Sequence, residues 1–364
     1  MMHHLCLLIV VNFLITTSSC NAMKEITGMS YPQYVEFLTN DHVAIQDDSG
    51  CNIFDITTNT KIKQISNKRD AHLAVDPKKK KLALSLDTTV TIYDITTHTQ
   101  QNFTQDKVII LSAFSASDKT IFLHPHYTSQ PQQLIKYNYK NDTTSIFLDY
   151  VYEKCCRAIA CHPKKNELCI ACDIGEITTY NQDTCAEIQT LTNLHDNIRQ
   201  PKRFCKYSPN GLFIVLGGWT FLNIIDSQSY THQTLKEATS LYYQAIEFHP
   251  NSSVLAVIIT SRDCMRYYDI RTLELIAQIS ELSQFYNSIP GSGKISFSPD
   301  GTQSIIAFLD RCVILPVPFE VIYQTDTKQR LPYLLFLLKN FPLNQHNTDI
   351  IPSLMYTLVE TFKR

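Results

Sequence analysis

The cysteines and histidines of this chain are the residues whose spacing could carry chemistry. Cys169-Ile-Ala-Cys172 has the CxxC spacing of zinc and thiol–disulfide sites. Both cysteines fall in an apolar run that reads as a strand, where residues three apart point to opposite faces. Two thiolates so placed cannot share one metal, and each reads as a small apolar core residue. His124-Pro-His126 could offer two imidazoles, but no acidic or cysteine ligand stands near it in sequence. His162 and His249 each precede a proline where Ser208 and Ser298 stand in parallel stretches, so the position asks for a polar turn residue. Gly217-Gly218 and Pro290-Gly-Ser-Gly293 do not join a strand to a helix, as a phosphate cradle requires. No nucleophile elbow or metalloprotease helix is present. The reading therefore assigns no catalytic residue, no metal and no cofactor.

The totals point the same way. The chain has 364 residues and a formal charge of −2, with 44% apolar and 18% charged residues, an ordinary globular balance. Near-neutral charge gives no electrostatic basis for nucleic acid. The one dense basic run, Lys78 to Lys81, follows Asp76-Pro77 and reads as a solvated turn.

Both ends depart from this pattern. Leu5 to Ile15 is almost wholly apolar and leads into Thr16-Thr-Ser-Ser-Cys-Asn-Ala22. The run is too short to span a bilayer and fits a secretory signal peptide, residues 1–22, with Cys20 and Ala22 at the −3 and −1 positions. Export is the expectation; a lipid anchor at Cys20, or an uncleaved cytoplasmic chain, is the alternative. Of the 12 cysteines, Cys6 and Cys20 would leave with the leader, and the spacing of the rest assigns no bridge. From Leu331 the apolar spacing becomes helical, through Leu334, Leu335 and Leu338, then Ile350, Leu354, Leu358 and Phe362. Residues 329–364 are expected to form a short helical hairpin.

Between the ends, one pattern recurs. Leu73-Ala-Val-Asp-Pro77, Ser112-Ala-Phe-Ser-Ala116, Ile159-Ala-Cys-His-Pro163, Cys205-Lys-Tyr-Ser-Pro209, Ile246-Glu-Phe-His-Pro250 and Ile295-Ser-Phe-Ser-Pro299 alternate apolar and polar residues and end at Pro or Ala. Val35-Glu-Phe-Leu-Thr39 is a seventh, worn copy. After each come a turn and a continuous apolar run such as Leu82-Ala-Leu-Ser-Leu86, as expected of a strand covered on both faces. A third strand ends in pairs such as Phe54-Asp55, Tyr93-Asp94 and Tyr268-Asp269, and a polar fourth strand suits an outer edge. The units are about 40 residues long, the period of a repeat architecture.

These units resemble the WD-repeat family of β-propellers, and Phe297-Ser-Pro-Asp-Gly301 repeats that family's turn between first and second strands. The Trp of the family's dipeptide is Phe, Tyr or Ile here, and the single Trp219 lies in a turn. The resemblance implies an all-β, seven-bladed propeller of four-stranded antiparallel blades over residues 24–323. Lys24-Glu-Ile-Thr-Gly-Met29 is expected to close the ring, with Phe319-Glu-Val-Ile-Tyr323 as the alternative strand. It implies a non-catalytic, monomeric scaffold that binds another protein through the turns between second and third strands. Those turns carry Asp48, Asp87, His126, Asp173, Trp219, Arg262, Asp263, Asp310 and Arg311. The alternative function is a lactonase-like or other hydrolytic propeller with its site in the central channel.

Overall fold

The computed structural model describes residues 24–69, 71–117, 119–125, 132–150, 156–172, 176–192, 194, 204–218, 220–235, 243–280, 282 and 294–318. The expected leader, the C-terminal hairpin, the alternative closing segment 319–323, and His126, Asp173 and Trp219 lie outside the described residues.

Seven four-stranded antiparallel sheets form the seven blades. Their innermost strands are Tyr34–Phe37, His72–Val75, Ile109–Phe114, Cys156–Cys161, Phe204–Tyr207, Tyr243–Phe248 and Ile295–Phe297, in blades 1 to 7. Each carries one copy of the recurring stretch. The second strands are buried on both faces, which explains their unbroken apolar runs. In blade 4, Leu168, Ile170 and Cys172 enter the core shared with blade 3, while Cys169 and Ala171 enter the core shared with blade 5. The CxxC spacing thus separates its thiols into different cores, as strand alternation requires. Every hydrophobic cluster among the described residues is shared in this way by two adjacent blades.

The third strands end where the sequence placed their Asp and Asn residues. Asp55, Asp94, Asn138, Asn181, Asp226 and Asp269 each accept, at Oδ1, the backbone N–H groups two and three residues on, at 2.7–3.3 Å. The fourth residue after each, from Asn59 to Leu273, is left-handed, with φ between 53° and 59°. A short side chain that caps its own turn and a left-handed residue that completes it make one hairpin connection, used six times. Tyrosines at the ends of third strands reach into these turns: the Tyr93 hydroxyl reaches His98 Nδ1 at 2.8 Å, and that of Tyr137 donates to Asp142 Oδ1 at 3.0 Å.

Blade 7 joins the two ends of the propeller. Its outermost strand is Lys24–Ile26, antiparallel to Cys312–Pro316, with Ile26 opposite Cys312. The expected N-terminal segment is therefore the closing strand. Because each blade is antiparallel, its first and third turns lie on one face of the disc. The turns between second and third strands, and the connections between blades, lie on the other.

Candidate functional site

Of the residues expected on the second face, those described divide between exposed side chains and turn formers. Asp48 is exposed; its N–H donates to Ser30 O at 2.8 Å, and its Oδ2 accepts from the Ser30 hydroxyl at 3.3 Å. Its neighbour Asp47 caps that turn, accepting the Ser49 N–H at 2.8 Å and the Ser49 hydroxyl at 2.6 Å. Asp87 and Asp263 adopt φ of 49° and 50°, and their carbonyls accept the N–H groups of Ile109, which opens the innermost strand of blade 3, and of Leu282, just past the last strand of blade 6. Asp tolerates this left-handed backbone better than most residues. Arg262 ends a short 3-10 turn, Thr260–Arg262, and is exposed.

Asp310 and Arg311 form one unit. The guanidinium holds both Asp310 oxygens, through Nε at 3.1 Å and Nη2 at 2.9 Å, and reaches Glu25 of the closing strand through Nη1 at 3.1 Å. The guanidinium also holds the Asp310 carboxyl below its ordinary range. Arg311 is thus engaged in closing the ring.

The seven innermost strands line a central channel of about 930 Å³. Several residues of each recurring stretch line it, and at the second position of the stretch these are Glu36, Ala74, Ala113, Ala160, Lys206, Glu247 and Ser296. At that position blades 2 to 4 present small alanines, and blades 5, 6, 7 and 1 present a polar arc. Lys206 pairs with Glu247, and Ser296 Oγ accepts the Phe37 N–H at 3.0 Å. Glu36 pairs with Lys79 at 3.2 Å. Burial raises the Glu247 carboxyl, the charge of Glu36 pushes it the same way, and Lys206 opposes both. Burial alone would lower Lys206, but the Glu247 and Glu36 carboxylates together outweigh it and the ammonium is raised.

Lys79 corrects the reading of the lysine run. Lys78 and Lys80 are exposed, but Lys79, at φ 54°, turns into the channel mouth and also donates to Phe37 O at 2.9 Å and Phe297 O at 3.4 Å. One blade 2 side chain thus ties blades 1 and 7. Lys81 faces Asp94 at 3.6 Å. Two lysines of the run are thus engaged, Lys79 with the inner strands through its left-handed turn and Lys81 with the end of the third strand.

A second string of contacts crosses the channel wall. Lys294 Nζ sits 4.8 Å above the Tyr34 ring, whose edge meets His72 at 5.3 Å; His72 Nδ1 lies 3.1 Å from Ser112 Oγ. Burial, aided by the Lys294 charge, lowers His72 to about 4, so the ring is neutral at physiological pH.

The Lys206–Glu247 pair gives a pH-dependent prediction. Lys206→Met removes the charge that opposes protonation of Glu247, so the folded-state carboxyl rises further above its unfolded value. Between those two values the folded protein binds more protons, and stability falls as pH rises. The side chains are 43% and 18% exposed, so channel water screens the loss to about 1–2 kcal/mol. Denaturant melts should show that loss at pH 8 and little of it at pH 4.5. An equal loss at both would place the effect in packing of the lysine stem.

No protein-family profile matches the sequence, and no curated protein does. Among solved structures, the chain is similar to the β-propeller domain of Cps50 (Swd1) from Myceliophteria thermophila, with a TM-score of 0.66 at 10% identity. The match covers 81% of this chain and 100% of that one. At that identity the likeness is one of fold, and it agrees with the β-propeller seen here. Among the described residues no helix is long and apolar enough to cross a membrane, and no three His, Cys, Asp or Glu side chains gather as metal ligands.

Proposed function

We propose that this chain is a non-catalytic scaffold, built as a worn WD-repeat-like propeller, that binds another protein on the face carrying the turns between second and third strands. The difference between the two faces supports this reading. One face repeats the same capped turn blade after blade. The other, among the described residues, is built from connections of differing length and form, from the two-residue turns at 48–49 and 87–88 to the 3-10 turn that ends at Arg262 and the four residues 105–108 between blades. Loops that vary on a fixed frame can present side chains without disturbing the core. Glu36 and Glu247 each lie against a lysine, which supports a structural use of the channel carboxylates. The Cps50 (Swd1) propeller domain lends the reading its fold and nothing more specific.

Export belongs to the same proposal. Cleavage after Ala22 would leave the closing strand, which begins at Lys24, intact. The chain acts as a monomer, with Asp48, Asp87, His126, Asp173, Trp219, Arg262, Asp263, Asp310 and Arg311 around its binding face. Trp and Arg dominate binding hot spots, so Trp219 and Arg262 are the anchors to remove.

Affinity capture from the native compartment tests the reading, with N-terminal sequencing of the recovered chain. Trp219→Ala with Arg262→Ala should cut partner recovery about tenfold or more while leaving the melting temperature nearly unchanged. Undiminished recovery would remove this face from the proposal, and an intact Met1 would remove export.

A further inference from the structure

The cysteines crowd one sector of the ring. Among the described residues, Cys156, Cys161, Cys169, Cys172, Cys185 and Cys205 all fall in blades 4 and 5. Two of them meet across the blade boundary: Cys169 Sγ, from the second strand of blade 4, lies 3.4 Å from Cys205 Sγ, from the innermost strand of blade 5. The two belong to different sheets, and both side chains enter the apolar core shared by these blades. A disulfide needs an S–S distance of about 2.05 Å, so the sulfurs must close by about 1.4 Å, within reach of small side-chain rotations. The two thiols differ in access. Cys169 is fully buried, whereas Cys205 is 6% exposed and lines the central channel.

We propose that Cys169 and Cys205 form a disulfide, driven by a small peroxide entering through the channel, that staples blade 4 to blade 5. The Cys205 thiolate attacks one peroxide oxygen; the O–O bond breaks, and the leaving hydroxide takes up a proton as water. Cys205 is then a sulfenic acid. The Cys169 sulfur attacks the Cys205 sulfur, the S–O bond breaks, and the departing hydroxide leaves as a second water with the Cys169 proton. Two thiols have lost two electrons to one peroxide. A bulky disulfide oxidant does not fit a sulfur lodged in an inter-blade core, so the staple responds to peroxide in preference to exchange. The bond closes a loop across two blades and constrains the unfolded chain.

Treating the native full-length chain with hydrogen peroxide, trapping remaining thiols in denaturant and mapping peptides without reduction tests this. The expected product is a Cys169–Cys205 linked peptide, two hydrogens lighter than its parts. The melting temperature should rise by about 5 °C and return on adding dithiothreitol. In Cys169→Ala, peroxide should leave Cys205 as a sulfenic acid that a cyclic diketone traps more strongly than in the parent. Should that variant misfold, the map of the parent chain decides alone. Thiol loss that links Cys156 to Cys172 instead, or no linked peptide, overturns the proposal. So does a linked chain that melts no higher.

Discussion

Gly301→Ala lowers stability by about 3 kcal/mol or more, several times the cost of the same change at Gly28. Both glycines are left-handed, with φ of 73° and 79°, so both substitutions strain the backbone. They differ in what a Cβ would meet. At Gly28 nothing lies within 4 Å, whereas at Gly301 the added carbon would sit 2.4 Å from the His249 ring. That ring cannot give way. It is 1% exposed, its Nε2–H donates to Gly301 O at 2.9 Å, and its Nδ1 accepts the Asn251 N–H at 3.3 Å. Its edge also packs against Phe297, at 5.2 Å. A blade 6 histidine thus docks on a blade 7 turn that must be glycine. Denaturant unfolding of Gly301→Ala, Gly28→Ala and His249→Ala with Gly301→Ala checks the account. The double variant should lose less than the sum of the single losses, because each alanine makes room for the other. Equal losses at Gly28 and Gly301 would leave backbone strain as the whole effect. The same dock holds the ring neutral: burial lowers His249, so below pH about 6.5 the unfolded chain binds more protons and stability falls with acidification.

The sequence carries this dock only as a pairing of residues one blade apart. His162-Pro163 is followed one blade later by Ser208-Pro-Asn-Gly211, and His249-Pro250 by Ser298-Pro-Asp-Gly301. A Cβ at Gly211 would lie 2.3 Å from His162, so the two pairs are copies of one device. Taken one at a time, His and Ser look like interchangeable polar turn residues. Only the pairing of one blade's His with the next blade's Gly carries the signal, and it needs the ring geometry to be seen. The strands themselves were legible because their burial is periodic. Pro and Asx residues mark turns for reasons local to the chain, which is why the third-strand ends at Asp94 and Asp226 fell where expected. The channel's polar arc was not legible. Lys79 enters it through a left-handed turn that a run of four lysines does not announce. Nor does sequence alone bring Cys205 to Cys169, since they meet between sheets and share no strand register.

Blade 7 is assembled from both ends of the propeller, and Ile26→Asp should break it. Ile26 is 2% exposed, in the core joining blades 7 and 1 with Val35, Phe37, Ile305 and Ile314. A carboxylate there loses apolar burial and brings a charge among side chains that offer it no partner, a cost of about 4 kcal/mol or more. The strand has few other holds. It is three residues long, and among the described residues Glu25 supplies the hydrogen bonds outside its ladder: its carboxylate to Arg311 and its carbonyl, at 3.1 Å, to Asn59 Nδ2 of blade 1. Once released, it leaves Cys312–Pro316 as an open edge, and open edges pair with other chains. Ile26→Asp should therefore show both an early denaturant midpoint and concentration-dependent association in light scattering. Lys24→Ala, on the exposed end of the same strand, should show neither. Glu25→Gln should lose only a fraction of a kcal/mol, because its pair with Arg311 is solvated on both sides. Near-parental stability and a monodisperse Ile26→Asp chain would mean that blade 7 closes without its N-terminal strand. Closure would then rest on the three strands after Ile295, and the Arg311–Glu25 contact would be incidental to it.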